Sequence, residues 1–157
     1  MANNQPPGFA ALACDAGALG TIAAGYWSPE QLRDELARMG DRRFGVNVFA
    51  PPYLHEGVLD AVLEARPAVL SFAFGVLDPA PLQAPGIEVW GPATSADEAP
   101  ALRDAGVDAV IAQGAEAGGH RGSFLAGFPL VPVDELPESI HVDVPAYAAG
   151  GIVDRHD

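Results

Sequence analysis

The sequence predicts an α/β fold, a parallel sheet of short strands covered by helices, ordered as a (β/α) barrel rather than as a doubly wound sheet. Three observations carry this. Strand-like and helix-like segments alternate at intervals of about 20–25 residues along the 157-residue chain. The strand-like segments are short and apolar on both faces, as parallel strands buried between layers are. Most of their ends run into Gly-rich or polar loops of one kind, whereas a doubly wound nucleotide fold concentrates its glycines after the first strand.

The elements follow in order. Residues 9–18 (FAALACDAGA) are Ala-rich and read as a helix ending near Gly17 or Gly20. Residues 20–24 (GTIAA) read as a buried strand closed by Gly25. Ser28, Pro29 and Gln31 then supply an N-cap, a first-turn proline and a capping-box partner for a helix running to about Met39 and stopping at Gly40. Residues 44–49 (FGVNVF) are a strand broken by Pro51-Pro52. Residues 55–65 are a helix with Val58, Leu59, Val62 and Leu63 on one face. Residues 68–74 (AVLSFAF) form a strand ended by Gly75, and the Pro-rich stretch after it leaves room only for a weak helix. After the strand at 87–91 (IEVWG), Ser95-Ala-Asp-Glu98 reads as a second capping box. It opens a helix to Ala105, with Gly106 as its stop. Residues 108–112 (DAVIA) are a strand, 113–128 a Gly-rich loop, and 129–143 a segment whose prolines shorten or break the expected helix. Residues 144–149 (VPAYAA) are a last strand, followed by Gly150-Gly151. The whole, 1–157, reads as one domain.

Composition narrows the function classes. The hydrophobic fraction of 49% allows a packed core. A net charge of −13 repels phosphate backbones and anionic bilayers, which argues against nucleic-acid and membrane partners. No signal peptide or transmembrane run is legible. Cys14 is the only cysteine, so no intrachain disulfide can form, in keeping with a cytoplasmic location, and its Ala-rich surroundings predict a buried structural thiol.

The densest chemical feature is Gln113-Gly114-Ala115-Glu116-Ala117-Gly118-Gly119-His120-Arg121-Gly122, directly after the strand at 108–112. In a barrel this loop lies on the C-terminal face, where active sites are built. Paired glycines let backbone N–H groups approach a flat or anionic ligand, and His120 is held where it can reach a bound substrate.

AQGAEAGGHRG at residues 112–122 resembles the signature of the nitronate monooxygenases, also called 2-nitropropane dioxygenases. The resemblance extends to AGALGTIAAGYWSPEQ (16–31), FGVNVF, VLSFAFG and VPAYAAGGI, in order, across about residues 10–153. It implies an FMN-binding TIM (β/α)8-type barrel, here incomplete, with strands one and eight of the family pattern missing. By family motif, Asn47, Gln113, Gly118 and Gly119 contact the flavin, Gly150 and Gly151 receive its phosphate, and His120 is the catalytic base. The implied partners are a small nitronate or nitroalkane and O2, and weak FMN binding is expected of a barrel lacking part of its phosphate site. A homo-oligomer is compatible with this reading.

The remaining candidates are weaker. His55 reads as solvated or capping. His141 and His156 have no Cys or His at metal spacing, so no metal site is expected. Glu116 either orients Arg121 or is solvated. Trp90 and Ser71 read first as core, Tyr26 and Trp27 equally as substrate mouth or loop packing, and Ser95, after Thr94, as an N-cap. Two alternatives to nitronate oxidation stand: a flavin-dependent enoyl-acyl-carrier-protein reductase, which also carries a Gly-Gly-His loop, and a non-catalytic barrel remnant. The acidic surface fits an acidic carrier protein poorly.

Overall fold

The computed structural model describes residues 6, 8–125, 127 and 130–152. Six strands, β1 (Thr21–Ala23), β2 (Gly45–Phe49), β3 (Val69–Ala73), β4 (Glu88–Ala93), β5 (Ala109–Gln113) and β6 (Ala146–Ala149), lie within two residues of their expected positions. They alternate with α1 (Phe9–Asp15), α2 (Pro29–Leu36), α3 (Val58–Ala65), α4 (Ala80–Gln83), α5 (Ala99–Ala105) and α6 (Leu136–Ser139). The expected absence of the family pattern's first strand concerns residues 1–8, which lie mostly outside the described residues.

The sheet order is β1-β2-β3-β4-β5-β6, and every neighbouring pair is parallel. A doubly wound sheet reverses direction at a switch point. This one never does, so it has the sequential order of a (β/α) barrel, with six strands in the described part.

The period-2 geometry of the strands divides the sheet into two faces. Ile22, Val46, Val48, Leu70, Val89 and Val110 share one face, all fully buried under the helices. There they meet Leu32, Met39, Val62, Leu82, Leu102 and Leu136, which form the other half of a single hydrophobic core. The opposite face carries a row of register partners, Ala23, Asn47, Ser71 and Trp90. The expectation of strands apolar on both faces is therefore corrected: the second face is mixed, and Thr21, Asn47, Ser71 and Gln113 put polar groups on it. Short strands with single polar residues in apolar runs hide this alternation.

The capping box at Ser28 forms as read. Gln31 N donates to Ser28 Oγ at 3.3 Å, and Ser28 N donates to Gln31 Oε1 at 2.9 Å. Ser28→Ala removes one half of this pair and is expected to cost about 1 kcal/mol, read as a shift of the urea midpoint at constant slope. The second box does not form. Helix α5 begins at Ala99 with Glu98 at its N-cap position, and the buried Ser95 Oγ has no partner among the described atoms. Glu98 accepts instead from Thr94, four residues before it, and from residues 123–125. Cys14, expected to be buried, is half-buried, with its thiol 3.4 Å from the Arg43 carbonyl. The segment 129–143 yields only the four-residue α6, as its prolines predict.

Candidate active site

The C-terminal ends of the parallel strands open into a cavity of about 540 Å³. Asn47 from β2, Gln113 from the end of β5, and Gly118, Gly119 and His120 from the following loop all line it. Gly150 and Gly151 follow β6 and are not among its lining residues. They pack against the same loop from behind: a Cβ on Gly150 would lie 2.7 Å from Ala117 N, and one on Gly151 2.7 Å from Glu116 Cβ. Both have left-handed backbone, φ 111° and 69°, so glycine is required there for shape as well as for contact. Gly118 and Gly119 differ in that a Cβ on either would meet nothing within 4 Å. Space, not crowding, surrounds the exposed part of the loop.

Asn47 Nδ2 donates to Ser71 Oγ at 2.9 Å, so these register partners form a small polar pair on the cavity floor. Gln113 is largely engaged by its own loop. Its Oε1 accepts from Gly122 N at 2.6 Å, and its Nε2 donates to the His120 carbonyl at 3.3 Å. One amide hydrogen and one lone pair remain for a ligand.

His120 is exposed and its ring meets Phe74 edge-on, centroids 5.9 Å apart at 88°. Phe74 begins an aromatic chain that sequence reasoning missed. It contacts Phe49 at 4.9 Å and Tyr53 at 6.2 Å, and Phe49 contacts Tyr26 at 4.9 Å. Phe74 is also a non-glycine residue at φ 66°, a costly conformation that turns the chain sharply at the end of β3. A second cavity of about 780 Å³ lies beyond this chain and shares Tyr26, Phe49, Phe74 and His120 as walls with the first. His55, exposed in keeping with its solvated or capping reading, lines it as well. Ser71 lines the first cavity and Tyr26 both. Trp90 stacks on Tyr147 at 4.8 Å and lies outside either lining.

The loop is held by side chains from its surroundings. Glu116 is exposed, as its solvated reading expects, and accepts from Val133 N at 2.9 Å rather than orienting Arg121. Arg121 Nη2 donates to the Thr94 carbonyl at 3.1 Å. Glu98, fully buried, accepts five hydrogen bonds from Thr94 and from Ser123, Phe124 and Leu125. Burial pushes its carboxyl up, but the N–H groups of Thr94, Leu125 and Phe124 and the Thr94 hydroxyl outweigh burial and hold it below the usual carboxylate range. A depressed folded value means that the stability Glu98 contributes is present above the ordinary carboxylate range and is lost as pH falls through the depressed value. Among the described residues no cluster of His, Cys, Asp and Glu could hold a metal ion, and no helix is long and apolar enough to cross a membrane. His156 lies outside the described residues.

Comparison with known proteins places this geometry in a family. The sequence profile of nitronate monooxygenase matches residues 53–157. A probable nitronate monooxygenase of Staphylococcus aureus (strain Newman) is 35% identical over 98% of this chain. The chain spans about half the length of the curated relatives it matches, 56% for that one. The aligned stretch, 200 residues, exceeds the 157 of this chain, so the relatives hold additional residues inside the matched span. Among solved structures, a nitroalkane oxidase from Streptomyces ansochromogenes superposes with a TM-score of 0.88 at 33% identity, covering 97% of this chain and 57% of that one. An M276A mutant of FabK from Thermotoga maritima gives 0.83 at 33%, covering 99% and 52%.

Proposed function

This chain belongs to the nitronate monooxygenase family, and on that premise we propose that it serves an FMN-dependent oxidation of alkyl nitronates and nitroalkanes by O2, with residues 1–157 acting as one partial barrel domain. The observation that carries the reading is the convergence of Asn47, Gln113, Gly118, Gly119 and His120 on one cavity.

The cavity suits a flavin. Its volume falls in the range of cofactor sites, roughly 300–1,000 Å³. Its walls combine flat apolar surface from Phe49, Pro92 and Ile111 with two amide side chains, and among the described residues no carboxylate lines it. The open space over Gly118 and Gly119 is where a planar ring could lie against backbone. When bound, FMN supplies the electron-accepting chemistry and the reaction with O2.

The chain's own residues bind and orient. Asn47, steadied by Ser71, and the remaining valences of the Gln113 amide hydrogen-bond the ring edge. Gly150 and Gly151 offer backbone N–H groups to the phosphate. His120 stands at the boundary of the two cavities, where a neutral imidazole nitrogen takes the α-proton of a nitroalkane. The aromatic cavity beyond holds the substrate's alkyl group, and its rings exclude water from the carbon being deprotonated.

Equal sequence identity to the nitroalkane oxidase and to FabK means that identity alone does not choose the reaction. The Gly-Gly-His loop also fits a flavin-dependent enoyl-acyl-carrier-protein reductase, which requires NAD(P)H. With FMN supplied, the proposal expects O2 uptake on addition of an alkyl nitronate and no dependence on NAD(P)H. Oxidation of NAD(P)H by an enoyl thioester, without nitronate turnover, selects the reductase. Neither activity, with no flavin retained, selects the non-catalytic remnant.

A further inference from the structure

We propose that Glu98 is the positioning residue of this site, a buried carboxylate latch that fixes the His120 loop over the cavity. As far as it concerns turnover, the proposal rests on His120 acting as the base. Glu98 is fully buried at the start of α5, yet among the described residues none of its hydrogen-bond partners is a cation. Each oxygen faces a hydroxyl and at least one backbone N–H. Oε2 accepts from Thr94 N at 2.6 Å and Thr94 Oγ1 at 2.9 Å. Oε1 accepts from Ser123 Oγ at 3.0 Å, Phe124 N at 2.8 Å and Leu125 N at 3.1 Å.

Three backbone N–H groups, which can only donate, and two hydroxyls surround one carboxyl, an arrangement that favours the ionised form. The arrangement joins the end of β4 to residues 123–125, across 25–27 positions of sequence. It lies three residues past His120. Between the two, Gln113 holds Gly122 and the His120 carbonyl, and Arg121 holds the Thr94 carbonyl next to the latch. His120 has no hydrogen-bonded side-chain anchor among the described contacts, only the edge of Phe74. Its place therefore depends on how firmly its backbone is held on either side.

Glu98→Gln tests this. An amide has a similar shape, but its NH2 must face donors whichever way it turns, so at least one side of the latch opens. Amide hydrogen exchange on the side that opens, at Thr94 or at Phe124 and Leu125, is expected to accelerate at least about tenfold more than at Val110 in the core of β5. Exchange unchanged at all three, or raised only in step with Val110, overturns the latch. This readout needs no flavin and no turnover, so it stands apart from any failure of the proposed reaction. In FMN-loaded protein the ratio of nitroalkane to nitronate turnover is expected to fall in the variant, as a misplaced base predicts. Equal losses on both substrates overturn the positioning role. Should Glu98→Gln fail to fold, Ser123→Ala removes one donor and leaves the carboxylate in place. Faster exchange at 124–125 relative to Val110 then supports the latch, and unchanged exchange overturns it.

Discussion

His120→Asn is expected to cut turnover of neutral nitroalkanes by roughly 10²–10⁴-fold while leaving turnover of preformed nitronates within about tenfold of wild type. The two substrates differ by one proton. A nitroalkane must lose its α-proton to a base before it can be oxidised, whereas a nitronate has already lost it. Asparagine keeps a hydrogen-bonding tip of similar reach, and the side chain is exposed at the junction of the two cavities, so the pocket should keep its shape. Parallel steady-state assays on the two forms of one compound read the difference directly. Equal losses would assign His120 a binding role, and no loss on either would remove it from the site.

The second large effect is on stability. Phe72→Ala is expected to cost about 3–5 kcal/mol, a large share of the roughly 5–15 kcal/mol that holds a domain folded. Phe72 is 1% exposed at the fourth position of β3, register partner of Val48, with its ring near Leu102 of α5 across Gly91. Truncation leaves a void between sheet and helix that neither can readily close. It also loosens the strand that ends in Phe74, so the aromatic wall beside His120 should lose order. Urea unfolding measures the loss, and a change below about 1 kcal/mol would mean that the sheet and α5 are not packed as described.

The strands were legible because short apolar runs such as FGVNVF and AVLSFAF are bounded by glycine or proline, leaving little freedom for their ends. The Ser28 box was legible because all its partners lie within four residues. Ser95 failed for the converse reason. Its spacing to Glu98 matches a capping box, but Glu98 is claimed by Thr94 and by donors at 123–125, and the latter pairing is made by the fold and invisible to local pattern. The same limit applies to the aromatic chain. Phe49 and Phe74 sit at strand ends where an apolar residue reads as core, and the left-handed turn at Phe74 has no signature in a residue that ordinarily avoids it. The loop around His120 was legible as chemistry because Gln, four glycines and His gather in ten residues directly after a strand end. Its tethering through Gln113, Arg121 and Glu98 was not, since each tether uses a side chain that could equally face a ligand or solvent.

The central claim is that a flavin occupies the cavity over Gly118 and Gly119. Gly118 offers a clean probe of it, because its backbone lies outside the left-handed region and a Cβ there meets no atom within 4 Å. Gly118→Val should therefore leave folding unchanged and fill only the space assigned to the ligand. Titration of flavin-free protein with FMN, followed by flavin fluorescence, is predicted to show saturable binding of one FMN per chain, weakened at least about tenfold in Gly118→Val at an unaltered unfolding midpoint. Equal affinity in the two proteins, or no saturable binding to the wild type, would contradict the account.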